Sequence, residues 1–252
     1  MKKFLLLAAV LMLAASGATA QPAYKWTTVQ MDTSFDAITD SAATMIIAKY
    51  APLVGSLQEI VGYSDAEYEK HRPESGLSNF AADIIRETGE KLCGSHVDVG
   101  LTNFGGIRTN LPKGAVRIYD IYSIFPFDNS LLGFDIKGSD LLTFFRKQAR
   151  KPEALSGVRF DVVNGEIKTL LVGGEPIDPE KIYKFATIDF LMDGGDGVQL
   201  KDFAMNIQTS GRFLRDIIID YIKDMTARGQ VISLKPDGRV TVVKPQKKEE
   251  SK

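Results

Sequence analysis

Segments with helical spacing of apolar residues alternate with strand-like segments along this chain, and that alternation limits the folds open to it. Helical spacing covers residues 36–51 and 77–91 and returns from Leu214 to Met225. Strand-like runs lie between these helices, at 97–102, 131–137, 158–162, 167–172 and 183–189. The pattern predicts an α/β fold of the α+β type, in which a mixed sheet is sandwiched with helices.

Short polar and glycine steps mark where elements begin and turn. Gly138-Ser139-Asp140 follows a predicted strand and indicates a helix start. The buried face of that helix should carry Leu141, Leu142, Phe144 and Phe145. Asn164-Gly165 and Gly173-Gly174 lie between strand-like runs, and such pairs favour tight hairpin turns.

The amino terminus has the pattern of a secretory signal peptide. Lys2 and Lys3 precede an apolar run over residues 4–15, and Ala18-Thr19-Ala20 offers small residues for cleavage. We expect residues 1–20 to be removed and the mature chain to be exported across the inner membrane to the periplasm. A retained anchor is the alternative, but the apolar run is shorter than the roughly 20 residues of a spanning helix.

The mature chain would carry nearly balanced charge. Loss of two lysines changes 31 basic and 32 acidic residues to 29 and 32, a net charge of −3. A net charge this close to zero shows no excess of basic residues of the kind that binds nucleic acid or an anionic membrane surface. The single cysteine, Cys93, has no partner for an internal disulfide and favours a structural role. We predict one domain at 21–243 and a disordered charged tail at 244–252.

Two glycine-rich motifs follow predicted strands and indicate two halves of one pocket. Asn103-Phe104-Gly105-Gly106-Ile107-Arg108 comes directly after strand 97–102, and the run 190–197 comes after strand 183–189. The glycines let backbone approach a ligand closely, and loops that leave rigid strands commonly carry binding groups. Spacing alone leaves open the alternative that both motifs are simple tight turns.

The order of several motifs resembles the carboxy-terminal, substrate-binding domain of the 5'-nucleotidases. The resemblance covers nearly all of the mature chain, and the run from Phe190 to Asp196 in Gly-Gly-Asp-Gly is its most specific part. The other motifs are Arg72-Pro73-Glu74-Ser75, Asn79, the run 103–108, Pro126-Phe127 and Lys137-Gly138.

The resemblance implies a role for each of six side chains in substrate binding. A base would stack between Phe127 and Phe190, since aromatic faces hold bases with little selectivity. Asp196 would accept hydrogen bonds from the ribose hydroxyls, and Arg108 would face ribose or phosphate oxygens. Asn103 would meet a base or sugar edge. Arg72 would face the phosphate. If the alignment with the family shifts by one residue, His71 takes that position instead.

The sequence also departs from the family. Phe104 stands where a glycine is usual, which predicts less room beside the ligand. Intact 5'-nucleotidases also have a metallophosphatase domain with two divalent metals, whereas His71 and His96 are the only histidines here and lack metal-ligand spacing. No nucleophile elbow or phosphate-binding loop occurs either. We therefore expect no catalytic residue, metal or cofactor in this chain, and a divalent metal pair in a partner metallophosphatase.

Two functions of different class follow from the resemblance. The first is an exported nucleoside- or nucleotide-binding subunit that contributes to nucleotide dephosphorylation with a separate metallophosphatase chain. The second is a stand-alone nucleoside-binding module with no hydrolytic role. A third interpretation assigns hydrolase activity to this chain on the basis of homology alone. Monophosphates, sugar nucleotides and cyclic nucleotides all stay candidate ligands.

Overall fold

The computed structural model describes residues 26–28, 30, 33 and 41–244, which form two units. In the first unit, Met1–Tyr50, the described helix is α1 (Ser41–Tyr50). Of the helix predicted at 36–51, residues 36–40 lie outside the described residues. The predicted export signal at 1–20 lies outside them too, as do residues 245–252 of the predicted tail. Among the described residues, no helix has the length and apolar character to cross a bilayer.

The second unit, Ala51–Lys252, contains the remaining elements. It begins with a 3-10 segment, Ala51–Gln58. Its helices are α2 (Gly76–Cys93), α3 (Ile118–Ile124), α4 (Gly138–Gln148), α5 (Asp189–Met192) and α6 (Leu214–Ala227). Its strands are β1 (Ile60–Ser64), β2 (Val99–Thr102), β3 (Gly114–Arg117), β4 (Ser130–Lys137), β5 (Ala154–Ser156), β6 (Val158–Val163), β7 (Glu166–Val172), β8 (Glu175–Pro176), β9 (Ile182–Ile188), β10 (Met205–Phe213) and β11 (Val240–Val243).

A mixed five-stranded sheet in the order β10-β4-β9-β2-β5 forms the centre of this unit. Strands β2 and β9 run parallel, with Val99 opposite Phe185 and Gly100 opposite Ala186. Strand β4 runs antiparallel to β9, β10 antiparallel to β4, and β5 antiparallel to β2. This mixture of directions confirms the predicted mixed sheet.

Helices cover both faces of the central sheet. On one face α2 lies close to the strands, because a Cβ built at Gly89 would stand 2.5 Å from Ala186 Cβ, and one built at Gly133 would stand 2.5 Å from Cys93 Sγ. On the other face Phe144 of α4 meets Phe185 edge to face, with ring centroids 5.6 Å apart. Alternate residues of β9 therefore serve opposite layers, as the pleat requires, and the predicted sandwich is confirmed.

A second sheet, in the order β11-β6-β7-β8, packs beside α4. Phe145 of α4 meets Phe160 of β6 with ring centroids 5.3 Å apart. Both predicted hairpin turns occur here. Asn164 and Gly165 have positive φ between β6 and β7, and Gly173 and Gly174 do so between β7 and β8. Two successive positive φ values are those that a type I′ turn requires.

Helix α2 begins and ends with clear capping signals. The Ser75 hydroxyl accepts a hydrogen bond from the Ser78 N–H, and Ser78 Oγ accepts one from the Ser75 N–H. Gly94 ends the helix in the left-handed conformation. Helix α4 begins at Gly138 as predicted, but its cap is Lys137, which makes no side-chain capping bond.

Candidate functional site

The sheet topology brings both glycine motifs to one edge. Because β2 and β9 are parallel neighbours, the segments that leave their carboxyl ends emerge side by side. Strand β4 is antiparallel to β9, with Leu131 opposite Ile188, so the segment that enters β4 reaches the same edge. Chain segments far apart in sequence therefore meet at a single place, the carboxyl ends of β2 and β9.

A cleft of about 230 Å³ opens at this edge, and we call it the aromatic cleft. Five of the six side chains predicted to bind substrate line it, and Arg72 does not. The lining residues are Asn103, Gly105, Arg108, Phe127, Asn129, Phe190 and Asp196. The structure thus places the two motifs in one pocket.

Asn103 and Asp196 join the two halves of the cleft. Asn103 Nδ2 donates a 2.6 Å hydrogen bond to Asp196 Oδ2. Asn103 is 3% exposed, and its Oδ1 is buried without a hydrogen-bond partner among the described residues. The neighbouring glycines make room for this pair, because a Cβ at Gly105 would stand 2.9 Å from Asp196 Oδ2 and one at Gly106 2.7 Å from Asn103 Oδ1. The hydrogen bond therefore holds the Asp196 carboxylate against Asn103 at the wall of the cleft.

Phe190 presents its ring to the cleft from an unexpected element. The sequence predicts that Phe190 lies in a loop, but it lies in the single-turn helix α5. Its ring rests on Gly195, where any Cβ would overlap the ring atoms. Gly194, Asp196 and Gly197 all have positive φ, a conformation that costs a non-glycine residue energy. The tight turn after α5 thus sets the position of both Phe190 and Asp196.

The opposite wall of the cleft comes from the segment before β4 and from Arg108. Phe127 is 46% exposed and Phe190 42% exposed, so both rings have free faces. Arg108 Cζ stands 5.9 Å from the Phe127 ring centroid, within the range of a cation–π contact. Asn129 also lines this wall, and sequence reasoning missed it. Its position two residues after Phe127 was the available signal.

Arg72 lies in a neighbouring hollow and is paired with a buried carboxylate. Its Nη2 lies 2.6 and 2.8 Å from the two carboxylate oxygens of Glu153, which is 1% exposed. Its guanidinium also stacks over the Phe104 ring at 4.3 Å. Phe104 is buried against Ala82 and Ala154, so its ring lies under Arg72 and not among the residues that line the aromatic cleft. The predicted contact of Arg72 with phosphate stays a prediction.

The described residues offer no metal centre. Among them, no group of three or more histidine, cysteine, aspartate or glutamate side chains could hold a metal ion. His96 instead lies 2.7 Å from Glu90 through Nδ1, and His71 lies in the hollow beside Arg72.

Known proteins are similar to this chain in sequence or in fold. The chain is 30% identical to an apyrase of Tabanus yao over 171 residues, 58% of this chain and 30% of that protein. It is 27% identical to Protein UshA of Escherichia coli over 132 residues, 50% of this chain and 24% of that protein. The structure of a 5'-nucleotidase precursor from Thermus thermophilus matches with a TM-score of 0.70 at 23% identity, over 81% of this chain and 43% of that one.

The matched segments span about a third or less of these curated relatives. Residues 54–202 match the family described as 5'-nucleotidase, C-terminal domain. That match covers more than half of the 252 residues, and the chain belongs to the 5'-nucleotidase C-terminal domain family.

Proposed function

We propose that this chain recognises a nucleoside or nucleotide in the aromatic cleft and serves as the substrate-binding part of a nucleotide-dephosphorylating system. The observation that carries the proposal is the convergence of Phe127, Phe190, Asp196 and Arg108 on one cleft. Two exposed aromatic rings, a carboxylate and a guanidinium match the base, ribose and phosphate of one ligand.

Each group would act through ordinary physical chemistry. Stacking on an aromatic ring contributes about 1–3 kcal/mol per base and tolerates any base. The Asp196 carboxylate accepts charge-assisted hydrogen bonds from the two ribose hydroxyls, and the Asn103 amide holds it in place. Arg108 supplies a positive charge beside the Phe127 ring, where it can meet a phosphate or ribose oxygen.

The same proposal assigns the chemistry to a separate metallophosphatase chain, in which a divalent metal pair would activate the attacking water. One observation supports this division: among the described residues, no group of three or more histidine, cysteine, aspartate or glutamate side chains could hold a metal ion. The signal-like amino terminus supports export of the chain to the same compartment as that partner.

Replacing one stacking ring tests the binding role. Calorimetry on the purified mature chain should detect adenosine or its monophosphate. Phe190→Ala should weaken binding by about 1–3 kcal/mol, roughly 5- to 150-fold. Tyr119→Ala is a matched control, since Tyr119 is an aromatic residue 54% exposed outside the cleft, and it should keep the wild-type affinity. Equal affinity of the Phe190→Ala variant and the wild type would refute the stacking assignment.

Phosphate release separates the subunit from a stand-alone binding module. The chain alone, with manganese or zinc, should release no phosphate from adenosine monophosphate. Its addition to an exported metallophosphatase chain of the same organism should raise the rate of release. An unchanged rate would favour the stand-alone module, and turnover by the chain alone would place a catalytic site on it.

A further inference from the structure

The wall of the aromatic cleft that carries Phe127 belongs to a short connection between two elements. Helix α3 ends at Ile124 and strand β4 begins at Ser130. Residues 126–129, which we call the Phe127 segment, therefore lie outside any helix or strand. A segment of this kind has no hydrogen-bond ladder of its own, so its polar groups must find partners on another element.

Arg215, in the first turn of helix α6, contacts the chain on both sides of Phe127. Its Nη1 donates a 3.3 Å hydrogen bond to the Pro126 carbonyl. Its Nη2 forms an ion pair with the Asp128 carboxylate. One guanidinium therefore holds both chain neighbours of Phe127, while the Phe127 ring lines the cleft.

The backbone of α6 fixes the end of the same segment. The Leu214 N–H donates a 2.8 Å hydrogen bond to the Asn129 carbonyl, directly before β4 begins. The first two residues of α6 thus hold the Phe127 segment at positions 126, 128 and 129. Phe127 is the residue enclosed by these three points of attachment.

The guanidinium of Arg215 is itself held between two aromatic rings. Arg215 Cζ stands 4.7 Å from the ring centroid of Tyr122 and 5.1 Å from that of Phe213, within the range of cation–π contacts. The Arg215 side chain is only 12% exposed. Because the guanidinium is a rigid plane, this packing fixes the direction of its two terminal nitrogens. Those nitrogens are the ones that contact positions 126 and 128.

Packing between the two rings does not by itself account for an arginine. Arg215 Nε is buried without a hydrogen-bond partner among the described residues, and it stands 3.9 Å from Asp216 Oδ1. A buried polar nitrogen without a partner costs free energy, and an apolar side chain could fill such a space without that cost. The contribution of the guanidinium therefore lies in the contacts that its terminal nitrogens make with the Phe127 segment.

We propose that Arg215 is a positioning residue for base stacking, which holds the Phe127 ring in the wall opposite Phe190. Arg215 is not among the residues that line the aromatic cleft, so it acts on a ligand through the segment that it holds. This inference rests on the proposed function, since it takes the aromatic cleft as the nucleoside site. It adds to that function a determinant of affinity that lies outside the cleft.

A double-mutant cycle on adenosine affinity, measured by calorimetry, tests the inference. Arg215→Ala should weaken binding roughly tenfold, because the ring is no longer held for stacking. In a chain that already carries Phe127→Ala, the same substitution should change the affinity by less than about twofold, since the ring on which Arg215 acts is gone. Arg212→Ala is the matched control. This arginine pairs with Asp220, and within the described residues it forms no hydrogen bond or ion pair with the Phe127 segment, so its loss should leave the affinity unchanged.

Fluorescence without any ligand gives an independent measurement. Trp26 is the only tryptophan of the chain, so the variant Trp26→Phe/Phe127→Trp carries a single tryptophan, in the Phe127 segment. Adding Arg215→Ala to this variant should increase the fast, local part of the anisotropy decay, because the segment loses two of its attachments. Adding Arg212→Ala should leave the decay unchanged.

Asp128→Asn tests the same contact from its exposed side. The Asp128 side chain is 67% exposed, so this variant should fold even if Arg215→Ala does not. Loss of the ion pair should weaken adenosine binding roughly threefold, as for a partly exposed pair, and should increase the local anisotropy decay in the same direction as Arg215→Ala.

The outcomes separate this inference from the proposed function. If adenosine binds but Arg215→Ala weakens it equally with and without the Phe127 ring, Arg215 does not act through that ring, and the inference fails while the proposed function stands. An unchanged affinity or an unchanged anisotropy decay in Arg215→Ala would overturn it as well. If the wild-type chain binds no adenosine, the proposed function fails, and the anisotropy decay alone decides whether Arg215 holds the Phe127 segment.

Discussion

Single residues set the geometry of the cleft more through their small size than through their charge. Gly195 leaves room for the Phe190 ring, and Gly105 and Gly106 leave room for the Asn103–Asp196 pair. The sequence identified these glycines as places where backbone approaches a ligand. In the structure they are places where backbone approaches the side chains that form the cleft, and close approach to a ligand stays a prediction.

The substitution Gly195→Ala should therefore weaken binding in the same way as a substitution of Phe190. The added methyl group overlaps the ring, so the ring must move, and adenosine affinity should fall roughly tenfold with the loss of stacking. Gly165→Ala, in the turn between β6 and β7 and not among the residues that line the cleft, is the control. Its Cβ meets nothing within 4 Å, although its φ of +81° is strained for alanine, so it should lower the melting temperature and leave the affinity unchanged. Calorimetry and thermal unfolding of both variants provide the comparison, and equal affinities would contradict the packing argument.

Asn103→Ala should alter the recognition of ribose through Asp196. Without the 2.6 Å amide hydrogen bond, the exposed Asp196 carboxylate loses its fixed position. The wild-type preference for adenosine over 2',3'-dideoxyadenosine should fall, by roughly tenfold for a lost charged hydrogen bond. Asp196→Ala should remove the preference altogether. If the ratio of the two affinities is unchanged in Asn103→Ala, Asn103 does not position Asp196.

Among the elements, α6 places a tyrosine where its ionisation opposes folding. Tyr221 packs edge to face on Phe80 of α2, with centroids 5.9 Å apart. Burial, and then the charge of Glu87, raises the pKa of Tyr221 to about 12. Its folded-state pKa exceeds the ordinary value of 10, so the neutral phenol favours folding below pH 10. That contribution is lost as the pH rises toward 12.

Tyr221→Phe should therefore reduce the loss of stability in alkali. The free energy of unfolding, measured by urea titration, should fall less steeply between pH 10 and pH 12 in this variant than in the wild type. Tyr63→Phe is the control, because Tyr63 is 50% exposed. If the free energy of unfolding falls equally steeply with pH in the wild type and in Tyr221→Phe, ionisation of Tyr221 does not destabilise the folded state.

For the molecule as a whole, the sequence predicted the fold class, the long helices and every strand of six or more residues except β10, because those elements carry clear periodicity. It missed β10, which is exposed at most positions and so shows no alternation, and β5, which has three residues. It also predicted that the two glycine motifs share a pocket. The reason, the parallel pairing of β2 with β9, depends on a crossover of about 80 residues that no local pattern shows. The ion pair of Arg72 with Glu153, 81 residues away, was equally hidden.

Because Cys93 contacts Gly133, the reactivity of the Cys93 thiol reports whether the end of α2 is packed on the central sheet. The thiol is the only one in the sequence and lies where the end of α2 touches the central sheet. The thiol is only partly buried, and that burial raises its pKa, so alkylation by iodoacetamide should be slower than for a fully exposed thiol and should speed up when the helix end leaves the sheet. Because ligand binding stabilises the native state by mass action, saturating adenosine should slow labelling further. A rate independent of adenosine would show that the helix end opens locally, without disturbing the distant cleft.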